Sequence, residues 1–283
     1  MVGAGLSGYL GWTFGYPAIF ALAALFGAFS IASVLMIPAA SIDYAAARGL
    51  KEDDAGAKAS GWQVLAECKP LLVLAVALGA FHLGNAAMLP LYGMAVVSNA
   101  KSNGPAFVAW TVVIAQGTMV VASLVAMRMA EKKGYWLVFL VAFIALPVRG
   151  VLASQMLVPW GVVPVQMLDG VGAGLLSVAV PGLVARILMG TGRINAGQGA
   201  IATIQGLGAA ISPALGGWMA QIFGYGTAFV VLGCFALVSI GCWVAFRDLL
   251  QPACDGTRDY GSRDGMPDAH AAPLAGAARQ RSD

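Results

Sequence analysis

The sequence predicts an all-α, polytopic helical membrane protein, and three observations carry that prediction. Hydrophobic residues make up 59% of the 283 and charged residues only 10%, with mean hydropathy +0.81, whereas a water-facing surface is about a quarter or more charged. The windows 1–42, 70–100, 102–127 and 194–246 hold no Asp, Glu, Lys or Arg. Each exceeds the roughly 20 apolar residues that cross a bilayer, and the last is long enough to cross twice. The 37 glycines suit helices packed in lipid, where no hydrophobic force drives association and small residues let backbones approach.

The elements follow in order. The opening MVGAGLSGYLGWTFGYP lacks a basic n-region and an Ala-x-Ala site, so it reads as the end of a membrane helix and not as a signal peptide. A first full span fits Pro17 to Ile37. A polar stretch, 38–69, carries Asp43, Arg48, Lys51, Glu52, Asp53, Asp54, Lys58, Glu67 and Lys69. Further spans fit 70–97, 105–127, 135–156, 160–189, 197–221 and 226–246, so seven complete spans follow a remnant before Gly11. With 38–69 in the cytoplasm, Arg128, Lys132, Lys133, Arg186, Arg193 and Arg247 also fall inside and Lys101 falls outside, as the positive-inside rule requires. The expectation is a multi-pass protein of the inner or plasma membrane with a cytoplasmic C-terminus. The tail, 247–283, has mixed charge and, from about Gln251, no apolar periodicity, and is expected to be disordered.

Several function classes find no support. There is no GxSxG, P-loop, Rossmann fingerprint, HExxH or cysteine cluster, so neither an enzyme nor a cofactor or metal is expected. Cys68, Cys234, Cys242 and Cys254 read as small hydrophobes. No basic aromatic patch points to nucleic acid.

At an offset of 209 the chain repeats itself, Phe14, Gly15, Tyr16 and Phe20 falling on Phe223, Gly224, Tyr225 and Phe229, and Gly8 on Gly217. Parallel repeats of this kind occur in secondary transporters. Together with GLGAAISPALGGWMAQIFGYGTAFVV from Gly206 and the degenerate basic loop MRMAEKKGYW, which keeps Glu131, Lys132, Lys133 and Gly134, the repeat makes the chain resemble the major facilitator superfamily. The first stretch looks like that family's eleventh helix turning into its twelfth. The opening GAGLSGYLGWTFGYPAIF looks like its fifth joining its sixth, without the Gly-Pro pair of the antiporter motif. The resemblance implies a facilitator-type fold truncated at the N-terminus. In it, 1–37 ends the N-terminal half with a partial helix five and helix six, 38–69 is the cytoplasmic linker, and 70–246 is the C-terminal six-helix half. It further implies a fragment or a late start, in a bilayer-embedded secondary transporter of a small solute, with proton-coupled efflux as the first choice. A non-transporting fragment or membrane scaffold, and a metabolite uptake symporter, stand as alternatives.

Polar residues in spans are the site candidates, because an ion in the bilayer costs at least a few kcal/mol and needs a partner or a water-filled cavity. Arg149 and Asp169 lie on consecutive spans and are expected to pair. The pair reads either as a substrate contact or proton-responsive carboxylate, or as a structural ion pair, with Arg149 near enough to an interface to snorkel. His82 and Asn85 share a helix face at three-residue spacing. They sit on the span that resembles the cavity-lining helix seven, where a neutral His exchanges protons readily; the alternative is helix-to-helix hydrogen bonding. Gly84 and Pro90 are expected to loosen that helix, and Tyr92 to face the cavity or the interface. Gln116 and Gln166 are polar groups available to a solute. Gln198, Gln205 and Ser212 recur every seven residues as one stripe. Gly206, Gly208, Gly216 and Gly217, with Gly199, are expected to pack that helix closely, and Pro213 to bend it.

Overall fold

The computed structural model describes residues 2–38, 61–100 and 104–255. Most of the 38–69 stretch, Lys101 and the tail beyond Asp255 therefore lie outside the described residues. Those described are helical, without a strand among them: α1 (Val2–Phe14), α2 (Tyr16–Leu35), α3 (Gly61–Glu67), α4 (Lys69–Asn85), α5 (Met88–Ala100), α6 (Gly104–Lys133), α7 (Tyr135–Gln155), α8 (Val162–Leu188), α9 (Ile194–Ala245) and α10 (Arg247–Asp255). Among the described residues six helical stretches are long and apolar enough to cross a membrane. One of them, α9, has 52 residues, about 78 Å of helix at 1.5 Å per residue, far beyond the roughly 30 Å of a hydrocarbon core. Gly224, at φ 81° and ψ 163°, breaks it into arms 194–223 and 225–245, which restores the seven expected spans.

That break recurs. Gly15 between α1 and α2 has φ 78° and ψ −178°, and Gly134 between α6 and α7 has φ 72° and ψ −180°. Each is followed by a tyrosine, Tyr16, Tyr135 or Tyr225. The Phe-Gly-Tyr repeat seen in the sequence is thus a repeat of backbone conformation, in a region essentially reserved for glycine. The Gly134 turn adds a third copy of that conformation.

The span expected over 70–97 is broken in the middle. Pro90 has no N–H to return to Ala86, α4 stops at Asn85, and α5 starts at Met88. The Ala87 N–H at the break donates instead to Ser212 Oγ of α9, at 2.9 Å. A Cβ on Gly84 would collide with the Leu232 carbonyl, so this glycine also packs closely against the second arm of α9. Beyond the expected 105–127, α6 continues to Lys133, carrying Arg128, Lys132 and Lys133 on its last turns, where cations suit the negative end of the helix dipole.

The expectation of disorder from 247 is corrected for 247–255. These residues form α10, which packs on the ends of α7 and α8 and buries Leu250, Ala253 and Cys254. Their i, i+3, i+4 spacing makes a one-turn apolar face, too short to stand out as periodicity. Arg186 Nη1 donates to the Cys254 carbonyl at 2.6 Å, and the Arg247 guanidinium lies 5.0 Å from the Trp136 ring centre. Burial, with the nearby Asp255 charge, pushes the Cys254 thiol up to about 12. At the same end of the bundle Arg193 bonds Glu67 at 2.6 Å. Hydrogen bonds from Gln63 and then Arg193 hold the Glu67 carboxyl below its ordinary 4.5.

The helices pack as α4 with α9, α6 with α8, and α7 with both α8 and α9. Glycines set the closest approaches. A Cβ on Gly174 would lie 2.6 Å from Ala122 Cβ, and one on Gly170 2.6 Å from Thr118 Cβ, so the Gly170-to-Gly174 pair seats α8 on α6. On α9, Gly208 faces the Gly79 carbonyl and Gly216 faces Ala87 and Leu91, with Ser212 between them at four-residue spacing. Gly199, Gly206 and Gly217 have no atom within 4 Å of an added Cβ. The expectation that all these glycines pack α9 is therefore corrected for these three, which stand on its open side, and the helix runs on through the exposed Pro213. α1 packs on α6 and α2 on α1, yet α2 has no buried residue.

Gly224 and Gly217 separate backbone strain from space, since neither has a neighbour in the way. Gly224→Ala is expected to lower stability by about 1–3 kcal/mol, while Gly217→Ala, at a helical position, leaves it unchanged or raises it by up to about 1 kcal/mol. Detergent-induced unfolding followed by tryptophan fluorescence reads both.

Candidate polar site in the helix bundle

Four polar side chains from three helices meet inside the bundle. Asn85 is the last residue of α4, Arg149 stands on α7 two residues after Pro147, and Gln166 and Asp169 lie three apart on α8, hence on one face. The second arm of α9 closes behind Arg149, because the neighbouring Gly150 leaves room for the Phe229 carbonyl, 2.6 Å from where a Cβ would be. Arg149 Nη1 donates to Asp169 Oδ1 at 2.7 Å and to Asn85 Oδ1 at 2.8 Å, and Nη2 to Gln166 Oε1 at 3.3 Å. Asn85 Nδ2 donates to Asp169 Oδ1 at 3.3 Å, completing a triangle.

The cluster is largely buried. Arg149 is 1% exposed and Gln166 0%, while the Asp169 side chain is 13% exposed and Asn85 is half-buried. Arg149 does not snorkel; its charge is met in place by Asp169. A buried ion pair offsets its desolvation only when the remaining donors and acceptors are also satisfied, and here that condition is only partly met. Arg149 Nε and Gln166 Nε2 have no hydrogen-bond partner among the described residues.

The other candidates lie outside this cluster. His82, one turn earlier on α4, places Nδ1 2.9 Å from the Leu78 carbonyl and its ring edge-on to Phe81. Tyr92 is fully buried, and its hydroxyl donates to the Met156 carbonyl at 2.5 Å. It faces neither cavity nor interface, and ties α5 to the end of α7. Gln116 is exposed on α6 and Gln205 half-buried on α9. The stripe of Gln198, Gln205 and Ser212 divides its work, as Gln198 Nε2 bonds the Pro181 carbonyl and Ser212 serves the α4–α5 break. Ser239, unmarked in the sequence, is buried and bonds the Ala77 carbonyl at 2.7 Å; a lone serine in a charge-free span was its only signal. A hollow of about 310 Å³ at the start of α9, lined by Gly61, Trp62, Ala196, Gly199, Ala200 and Thr203, carries no ionisable group. Among the described residues no cluster of three or more His, Cys, Asp or Glu is placed to hold a metal.

No protein-family model matches the chain. Two proteins from two strains of Mycobacterium tuberculosis, each named an MFS-type transporter, are 35% identical to it over 235 residues, 82% of this chain and 56% of theirs. The chain thus spans little more than half the length of these relatives.

Removing charge and removing hydrogen bonds should cost differently in this cluster. Asp169→Asn keeps the shape but strands the Arg149 charge, and is expected to destabilise by about 3–5 kcal/mol. Asn85→Ala deletes hydrogen bonds to charged partners and is expected to cost about 1.5–3 kcal/mol. Unfolding titrations in one detergent system check the order.

Proposed function

Since the chain belongs to the major facilitator superfamily, we propose that it forms the C-terminal portion of a secondary transporter, from part of helix five through helix twelve, with 38–69 as the linker between halves. It moves a small solute by alternating access, with proton-coupled efflux of an amphipathic compound as the first reading and metabolite uptake as the second. The observation that carries this reading is the buried Arg149–Asp169 pair, whose carboxylate is the member closest to the surface. A proton arriving on Asp169 cancels the charge that compensates Arg149, and the tie of α7 to α8 and to the end of α4 weakens. Protonation thereby becomes a change in helix packing, which alternating access requires. His82, with its second ring nitrogen not engaged by Leu78, is a proton-exchanging group one turn away.

Orientation follows from charge. Arg186, Arg193 and Arg247 are gathered with α3 and α10 at one end of the bundle, and the positive-inside rule makes that end cytoplasmic, with the C-terminus there and the chain in the inner or plasma membrane. The non-transporting scaffold keeps one observation in its favour: α2 and the open glycine side of α9 are uncovered apolar surfaces in this chain by itself.

Loading cells that lack their own multidrug pumps with ethidium or carboxyfluorescein, with and without expression of the chain, tests the reading. Faster loss of at least one probe is expected, abolished by a protonophore and by Asp169→Asn. Loss rates equal to the empty vector for both probes would favour the scaffold.

A further inference from the structure

Just past the last span the chain folds again. Phe246, at φ −103° and ψ 28°, interrupts the helix for one residue, and the Leu249 and Leu250 N–H groups then donate to its carbonyl at 3.1 Å to start α10. This short helix lies against the ends of α7, α8 and α9. On α7 the Arg247 guanidinium covers the Trp136 ring. The far end of α10 closes on the α6–α7 turn, where a Cβ on Gly134 would come within 2.7 Å of Asp255 Oδ1 and 2.8 Å of the Cys254 carbonyl. On α8, Arg186 holds that same carbonyl at 2.6 Å while its guanidinium lies 4.5 Å from the Tyr135 ring centre. One arginine thereby joins α7, α8 and α10.

The apolar part of this docking is small. Leu250 is the one large side chain among the three that α10 buries, and a helix of nine residues is too short to be stable without a surface to rest on. Elements with few buried apolar contacts open at lower free energy than the core they cover. At the same end of the bundle runs a seam between spans: Gly197 of α9 is pressed against Leu188 of α8 and lies beside Leu71 of α4. Both leucines are at most 1% exposed, so the seam is shut while α10 is docked.

We propose that α10 is a strap on the cytoplasmic opening: docked, it ties the end of α8 to α7 and to the end of α9 and keeps the seam shut, and swung away about Phe246 it frees Arg186 and lets the seam part. The proposal rests on the transport reading, which supplies both the cytoplasmic orientation and the reason for that end to open. The strap acts on the same two helices as the Arg149–Asp169 pair, but at their ends. Cys254 reports its position. The residue is fully buried under the docked helix and its thiol is pushed up to about 12, which keeps it in the unreactive protonated form, whereas a free cysteine titrates near 8.5 and reacts as the thiolate.

Labelling of the purified full chain in detergent with N-ethylmaleimide, read site by site by peptide mass spectrometry, needs no solute and so stands or falls apart from dye loss. With the released state about 0.1–10% populated, Cys254 is expected to label about ten to a thousand times slower than in the unfolded chain. Leu250→Asp, which puts a charge under the strap, should bring Cys254 close to the unfolded rate. A reporter on the seam, Leu71→Cys of α4, should then label about tenfold faster or more in the Leu250→Asp background than alone, a change that local loosening of α10 does not produce. Arg247→Gln removes the stack on Trp136 and leaves the apolar face intact. It should raise both rates together by a smaller factor, and it keeps the test open if Leu250→Asp fails to elute as one folded species. Cys254 labelling at the unfolded rate in the parent, or Cys254 freed while the Leu71→Cys reporter keeps its original rate, would overturn the proposal.

Discussion

A guanidinium inside a bilayer must be neutralised where it sits or drawn to the interface, and Arg149 is too deeply packed to leave. Its charge is met by Asp169 of α8 at 2.7 Å and braced by Asn85 at the end of α4, so two consecutive helices and a third far from them in sequence are fixed relative to one another. No comparable electrostatic tie crosses the described spans; the second ion pair, Arg193 with Glu67, lies at a bundle end.

Around that tie the bundle is assembled by small residues and by polar groups that serve the backbone. Gly170 and Gly174 bring α8 onto α6, Gly208 and Gly216 bring α9 onto α4 and α5, and Gly150 and Gly233 bring α9 onto α7. Where a helix breaks in the middle of the span, at 86–87, the freed N–H is taken by Ser212, as an apolar solvent demands. Tyr92, Ser239 and Trp243 act in the same way, each bonding a backbone carbonyl on a neighbouring helix or turn. Most of the polar residues inside the bundle thus serve packing.

Much of this was legible before the structure, and for physical reasons. Charge-free windows report bilayer crossings directly, so the seven spans and the pairing of two isolated charges on consecutive helices could be read. The Phe-Gly-Tyr repeat could also be read, because a backbone conformation reserved for glycine leaves a mark in sequence. Hidden were the contacts that depend on which helix faces which: Asn85 joining a cluster with Arg149 and Asp169, Tyr92 turning inward to Met156, and the split of the α9 glycines between a packed and an open side. Gly84 was read as a source of looseness and proves also to be a point of closest contact, since a glycine's absence of side chain serves both ends equally. The α10 helix escaped notice because its apolar face, Leu250, Ala253 and Cys254, spans about one turn and is too short to show a period.

Charge reversal tests the central role of the Arg149–Asp169 pair most directly. Arg149→Asp, Asp169→Arg and the double swap would be expressed and compared by the fraction that elutes as a single folded species in detergent. The account predicts that each single reversal, which places two like charges side by side within the buried interior of the bundle, loses that species. The double swap, which restores opposite charges between α7 and α8, should recover much of it. Single variants that elute like the parent, or a double swap no better than either single change, would contradict it.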